Sequence, residues 1–249
     1  MANIFRKTRQ QLYMNDRFSK YLVYAIGEIF LVVVGILIAL QVNNLNEQSK
    51  ADAKEVKYLI SMKSELSTNL SLIHAEIESL ERSIDSQREL IALINTEEDT
   101  VNEMYIAQLL AKSFSRVFEL KYRDGTFKEL LYSGELILIK NDSIKNEVTS
   151  WDGRMIAVRK QEKGVYDARE KITHFMIDKG IFKMMLDDMG FSDGLQIKKS
   201  INRTSSKRLL SSQKFENLLS YHIALNLSQK AFYKKLEDNL ENLLRIVTA

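Results

Sequence analysis

The residue whose type and position most suggest chemistry is Glu28, the one charged side chain in an apolar run at residues 21–42. A carboxylate inside a membrane span is energetically costly and commonly marks a pathway for protons or ions. Glu28 could therefore face a helical partner and bind a proton or a cation, with Gly27 and Gly35 allowing that partner to approach closely. Alternatively, Glu28 is a packing feature that is reached by water or hydrogen-bonded to a second copy of the chain. The sequence leaves both interpretations open.

The remaining polar residues do not form a recognised catalytic or metal-binding pattern. The three histidines, His74, His174 and His222, lie far apart, and none is paired with another ligand at a known metal-site spacing. The region of Asp187 and Asp188 lacks the alternating acidic spacing of a calcium loop, which favours a solvated turn. Because the chain contains no cysteine, thiol nucleophiles and Cys-ligated metal centres are excluded. The sequence predicts no catalytic, cofactor-binding or metal-binding residue, and no cofactor.

Acidic residues are abundant along two of the predicted helices. Their spacing places them on faces that a helical bundle exposes to water, so we predict that they only solvate the surface. The residues concerned are Glu76, Glu78, Glu81, Asp85, Glu237, Asp238 and Glu241.

The apolar run at residues 21–42 is long enough to cross a membrane. Its 22 residues would form a helix of about 33 Å, against a hydrocarbon core of about 30 Å. A buried helix of a soluble domain rarely contains twelve consecutive apolar residues, as residues 29–40 do. The sequence that follows offers no cleavage site of the small-x-small type, so we predict an uncleaved anchor and not a signal peptide.

Basic residues are concentrated ahead of the apolar run. Residues 1–20 contain five basic side chains and one acidic one, whereas the whole chain has a net charge of only +3. By the positive-inside rule, this predicts a cytoplasmic or interfacial tail at 1–20 and a domain at 43–249 on the periplasmic side of the inner membrane. The expected partners are membrane lipid and either a protein of the membrane or envelope or a second copy of the chain. A nucleic-acid partner is not expected, because such a protein would spread its basic residues over a folded face.

Two segments of the chain resemble an uncharacterised family of single-span membrane proteins from Bacteroidota. The first is FSKYLVYAIGEIFLVVVGILIALQVNN at residues 18–44, preceded by FRK at 5–7. The second is TFKELLYSGELILIKN at residues 126–141. The resemblance implies a Gram-negative envelope, but no activity, substrate or cofactor.

The rest of the sequence predicts an all-α protein. The absence of proline favours long unbroken helices, and apolar residues at helical spacing predict long helices near 51–95, 143–179 and 213–247. From Val56 the apolar positions repeat every 3.5 residues, which is typical of coiled coils and requires a helical partner. The flanking charges do not specify a homodimer, so an elongated bundle within one chain is the favoured interpretation.

Shorter signals mark the ends of the smaller helices. An amphipathic stretch is predicted from Val101 to about Leu120, and Thr126 with Glu129 resembles a capping box. Gly134 predicts the end of that helix, and Asn141 predicts the start of the next.

Three classes of function agree with these features. The first is a membrane-anchored envelope scaffold or interaction protein, which needs nothing beyond the anchor and the bundle. The second is a sensory input module that acts through a membrane partner. The third is a peripheral subunit of an ion-driven membrane complex that uses Glu28. No catalytic motif supports an enzyme.

Overall fold

The structure is a computed structural model that describes residues 16–94 and 101–248. Within these ranges every regular element is helical and there is no strand, which confirms the predicted all-α class. The seven α-helices are α1 (Asp16–Leu93), α2 (Glu103–Phe114), α3 (Gly125–Ser133), α4 (Asp142–Asp178), α5 (Ile181–Asp188), α6 (Phe191–Gly194) and α7 (Gln213–Thr248). Short 3-10 helices occupy Glu135–Leu138 and Ser206–Leu209. The predicted tail at 1–20 falls largely outside the described residues, as do residues 95–100.

Helix α1 is a single helix of 78 residues. The sequence predicts two helices in this region, one at 21–42 and one near 51–95, without assigning a structure to the residues between them. Residues 43–50 continue the helix because they contain neither glycine nor proline, and Lys50 pairs with Glu47 one turn earlier at 2.8 Å.

The chain divides into two compact units, Met1–Lys57 and Tyr58–Ala249. The described part of the first unit is helical and its apolar side chains are largely exposed. The second unit has its own buried core, formed by two apolar clusters. The first cluster combines residues of α1, α3, α4 and α7, including Leu66, Phe127, Trp151 and Leu240. The second contains the C-terminal end of α1 with α2, α5 and the start of α7.

The partners of the α1 seam are therefore helices of the same chain. Within the second unit, the central row of buried side chains on α1 recurs every 3.6 residues on average, and Glu76, Ser83 and Ser86 are buried beside this row. The row consists of Tyr58, Met62, Leu66, Asn69, Ile73, Ile77, Leu80, Ile84, Gln87 and Leu90. The predicted seam with a 3.5-residue repeat departs from this pattern at its start, where Val56 is 55% exposed and Lys63 is also exposed. Because a straight α-helix has 3.6 residues per turn, the observed repeat keeps the buried side chains on one continuous face, which can pack against several neighbouring helices.

Helix α7 has the stricter repeat. Its central row of buried positions alternates in steps of four and three from residue 215 to residue 243, and Glu237 is buried beside this row. The row consists of Phe215, Leu219, His222, Asn226, Gln229, Tyr233, Leu236, Leu240 and Leu243. The apolar residues alone suggest a stripe through Leu218, Leu225 and Phe232, which are only partly buried or exposed. The apolar pattern is misleading here because the centre of the buried face is polar.

Two local predictions are confirmed and two are wrong. Gly134 ends α3 in the left-handed conformation (φ 77°), and the Asn141 side chain accepts a hydrogen bond from the backbone N–H of Ser143, as an N-cap does.

The capping box is wrong: α3 begins at Gly125, and the N–H of Thr126 donates to Glu65 of α1 at 2.9 Å. The helix predicted as far as Leu120 ends at Phe114. Beyond it, the backbone N–H and carbonyl of Leu120 form hydrogen bonds with side chains of another helix and not with neighbouring turns of their own.

Candidate functional sites in the apolar segment and the polar core

The apolar segment at residues 21–42 lies on α1 and has no buried side chain. Tyr24 is 77% exposed and Leu31 is 71% exposed, and only Val34 is partly covered. The helix is long and apolar enough to cross a membrane. An exposed apolar surface of this length is unfavourable in water, and a bilayer would cover it.

Glu28 also lies in this exposed segment, and it forms no hydrogen bond or ion pair with any residue that the structure describes. A side chain built at Gly27 or Gly35 would meet no atom within 4 Å, so the surface around both glycines is open. The three residues predicted as a site therefore share one helix segment, and any partner for them must come from outside it.

The second candidate site is a polar core on the buried face of α7. His222, Asn226, Gln229 and Tyr233 occupy four successive core positions of that helix, and each is at most 1% exposed. Buried polar side chains are normally isolated and fully hydrogen-bonded, so a continuous series in the centre of a bundle is unusual.

One branch of the polar core connects α7 to α1 and α2. The Asn226 side-chain amide donates to Gln87 at 3.1 Å and lies 3.2 Å from Nδ1 of His222. Gln87 donates to the Ser83 hydroxyl at 3.0 Å, and Ser83 donates to the backbone carbonyl of Ser113 at 3.0 Å. These contacts join three helices through side chains that the apolar pattern does not reveal.

The other branch is centred on Glu162 of α4. One oxygen of its carboxylate accepts hydrogen bonds from the Tyr233 hydroxyl at 2.6 Å and from the N–H of Leu120 at 2.9 Å. The other oxygen accepts one from Arg159 at 2.5 Å, and Arg159 also donates to the Leu120 carbonyl at 2.7 Å. Glu162 is 5% exposed, and its charge is compensated by the buried network. The segment after α2 is thereby fixed to α4 and α7 through its backbone.

Burial shifts the pKa values of two groups in the polar core. Burial away from water, together with the positive charge of Arg169, lowers the pKa of His222 to about 4. The His222 ring packs against Phe114 with ring centroids 5.5 Å apart. Burial and the neighbouring Glu162 carboxylate raise the pKa of Tyr233 well above its usual range. Near neutral pH, His222 is therefore uncharged and Tyr233 remains a hydrogen-bond donor.

Four buried atoms of the polar core lack a hydrogen-bond partner among the residues that the structure describes. They are Oγ of Ser113, Nε2 of His222, Oδ1 of Asn226 and Oε1 of Gln229. An unpaired buried polar group costs about 1–3 kcal/mol. These unpaired atoms therefore offset part of the stabilisation that the hydrogen bonds of the polar core provide.

The prediction that the acidic residues lie on exposed faces is wrong for Glu76 and Glu237. Glu76 is 7% exposed and is paired with Arg116, and burial raises the pKa of its carboxyl. Glu237 is 6% exposed and lies 2.7 Å from the His74 ring. Both residues border the core face of their helix, where a long side chain reaches a polar partner while its stem packs against apolar neighbours.

The prediction of a solvated turn is wrong at Asp187. Its side chain is buried at the end of α5, where it accepts hydrogen bonds from Lys183, from the Ser192 hydroxyl and from the N–H of Ser200 at 3.0 Å. These donors hold the pKa of the Asp187 carboxyl far below its usual range. Asp187 therefore joins α5, α6 and the chain after α6, and its oxygens are already satisfied by protein groups. Neighbouring Asp188 pairs with Arg203.

The polar core was not found from the sequence, although one signal for it exists. The buried positions of α7 continue from Phe215 and Leu219 to Leu236 and Leu240 at steps of four and three, and the polar residues fill the positions between. Extending the repeat from both apolar ends, regardless of residue type, would have identified His222, Asn226, Gln229 and Tyr233.

In residues 16–94 and 101–248, the fold and the exposed apolar segment define an all-helical protein with one candidate membrane span. The chain belongs to the DUF6090 family, a family of unknown function whose sequence profile matches residues 28–169. This confirms the expected membership of an uncharacterised family, and the match includes the second recurrent segment at 126–141. No curated protein and no solved structure matches the chain. The α7 part of the polar core lies beyond the matched residues.

Proposed function

We propose that the protein is a membrane-anchored envelope protein whose helical bundle binds another protein. In this proposal residues 21–42 cross the inner membrane, the N-terminus is cytoplasmic and the bundle is periplasmic, in a Gram-negative bacterium of the Bacteroidota. The observation that carries the membrane anchor is that the apolar segment has no buried side chain, in a chain whose second unit buries its own core. The basic residues ahead of the segment support the orientation.

The ion-driven complex remains the second candidate, and Glu28 favours it. Glu28 lies beside Gly27, and the surface at Gly27 and Gly35 is open to a neighbouring helix. Small residues permit close contact between helices in a membrane, and a carboxylate at such a contact can exchange ions or protons. A sensory input module would need the same membrane contact, but no further observation supports it.

Co-purification of the full-length chain from detergent, followed by mass spectrometry, tests the proposal. An envelope protein recovered in a fixed ratio supports an interaction protein, whereas a polytopic membrane protein in a fixed ratio favours the ion-driven complex. Recovery of the chain alone, at physiological expression, would contradict both.

Glycine variants locate the contact. Gly27→Leu combined with Gly35→Leu should remove a partner that packs on the apolar segment, because the added side chains prevent close approach. The matched control is Gly153→Leu, the same change at an exposed position of α4 where a side chain would also meet no atom within 4 Å. A partner that is lost only with the control variant would place the contact on the bundle.

A further inference from the structure

A basic pocket lies in the second unit where α4, α5 and the chain before α7 meet. Its volume is about 320 Å³. The polar part of its lining consists of Lys179, Thr204, Arg208, Ser211 and Ser212. The apolar part consists of Phe175, Ile181 and Leu209. The pocket is thus lined by two cations, three hydroxyl groups and a small apolar surface, and by no carboxylate.

A third cation adds to the positive charge at the pocket. The ammonium groups of Lys179 and Lys214 lie 5.7 Å and 5.1 Å from the centre of the Phe175 ring, close enough for a cation–π contact with each. Neither lysine forms an ion pair with a described residue, and the same holds for Arg208. Most other cations of the bundle, such as Arg159 and Lys183, have carboxylate partners. Lys179, Arg208 and Lys214 are exposed to solvent, so their positive charges can be reached by a bound anion.

A second groove of the second unit has a lining of mixed charge. It has a volume of about 540 Å³ between α1 and the α2 region, and its cations Arg82, Lys112 and Arg116 share the lining with Asp85 and Glu89. Arg82 and Arg116 are already paired with Glu78 and Glu76. Lys179 and Arg208 of the basic pocket, by contrast, share its lining with no carboxylate.

We propose that the basic pocket binds a phosphate ester. Arg208 provides a planar fork of donors that matches two phosphate oxygens, and Lys179 provides a point charge. The hydroxyl groups of Thr204 and Ser212 can donate to further oxygens, whereas the Ser211 hydroxyl already donates to the Arg208 carbonyl at 3.4 Å. The pocket is larger than a single phosphate group, and its apolar surface can cover a small organic substituent. The phosphate ester belongs either to a soluble metabolite or to a lipid headgroup.

Titration of the full-length chain in a neutral detergent tests this site. The probes are inorganic phosphate, glycerol 3-phosphate and phosphatidylglycerol, with phosphatidylcholine as the zwitterionic lipid control. Binding is measured calorimetrically and as an increase in melting temperature, because a ligand that binds only the folded state stabilises it. Binding of the first two probes would assign a soluble ligand, and binding of phosphatidylglycerol alone would assign a lipid headgroup.

Two variants and one control make the test specific. Arg208→Gln and Lys179→Gln should each weaken binding about tenfold or more, the loss expected for one charge-assisted hydrogen bond. Lys198→Gln removes an exposed positive charge outside the pocket and should leave the affinity within about twofold. Circular dichroism verifies that each variant is folded. If the wild-type chain binds none of the phosphate probes, or if Lys198→Gln weakens binding as much as Arg208→Gln, the proposal is wrong.

Discussion

His222 links the protonation of one side chain to the stability of the bundle. Its ring is 1% exposed, and the groups around it are the Phe114 ring, the Asn226 amide and the positive charge of Arg169. Burial removes the water that would solvate a positive charge on the ring, and Arg169 repels it. Protonation of His222 in the folded state is therefore unfavourable, as its lowered pKa indicates.

We expect the free energy of unfolding to fall as the pH is lowered from about 6.5 to about 4. In this window the unfolded chain binds a proton at His222, while the folded chain, whose pKa is about 4, does not. The contribution is at most about 3 kcal/mol, and it is fully present only above the unfolded pKa. Urea unfolding at a series of pH values measures it. His222→Gln should reduce the slope in this window, whereas His174→Gln at an exposed position should not; equal slopes in the wild type and His222→Gln would contradict the assignment.

Glu28 separates the two candidate functions at the residue scale. Glu28→Gln keeps the size and hydrogen-bonding capacity of the side chain and removes its charge. For an interaction protein, we expect the variant to insert, to recover its partner and to complement a deletion strain fully. The measurement is complementation together with the ratio of recovered partner. Loss of complementation with the partner still bound, and partial activity of Glu28→Asp, would instead favour the ion-driven complex.

At the scale of helices, the apolar pattern predicts α4 and α7 to within about two residues of their ends. Their predicted ranges were 143–179 and 213–247, and the structure places them at Asp142–Asp178 and Gln213–Thr248. Helix existence follows from local spacing and caps such as Asn141, which act within one turn. The buried face of α7 does not follow from such local signals, because Gln229 and Asn226 are stabilised there by groups on α1 and on the chain after α2. Such partners are distant in sequence and invisible to a periodicity analysis.

The same limit explains the incorrect start of α3. The Thr126 N–H is satisfied by Glu65, which is 61 residues away, so the local capping signal at Thr126 and Glu129 is not used. Glu129 instead accepts a hydrogen bond from Tyr58 at 3.0 Å. A hydrogen bond to a side chain of another helix thus takes the place of the local capping interaction.

The core face of α1 gives a direct stability test. Ile77 is 4% exposed within the first apolar cluster, and Ile77→Asp places an unpaired charge there. We expect a loss of several kcal/mol in the free energy of unfolding, measured by thermal or urea unfolding followed by circular dichroism.

The control for this substitution is the neighbouring Glu78→Gln. Glu78 is exposed and pairs with Arg82 at 2.7 Å on the surface, so its replacement should change stability by less than about 1 kcal/mol. If Ile77→Asp were as well tolerated as Glu78→Gln, the core face of α1 assigned here would be incorrect.

For the whole molecule, the proposed orientation in the membrane is testable because the chain has no cysteine. One single-cysteine variant carries Asn3→Cys, and the other carries Ser150→Cys at an exposed position of α4. After permeabilisation of the outer membrane, an impermeant thiol reagent should label position 150 and not position 3, because basic residues hold the N-terminus in the cytoplasm. Labelling at position 3 alone would reverse the topology and place the bundle in the cytoplasm.

The polar core of α7 also determines the axial register of that helix. A slide of one helical turn, about 5.4 Å, would separate Asn226 from Gln87 and Tyr233 from Glu162. The four core positions from His222 to Tyr233 carry four different residue types, so no shifted alignment restores the same donor and acceptor pairs. A stripe of leucines would be more stable and would tolerate several alignments, whereas a buried polar series excludes all but one. If two copies of the chain exchanged α7 in a domain-swapped dimer, each α7 would have to adopt the same axial position in the other bundle.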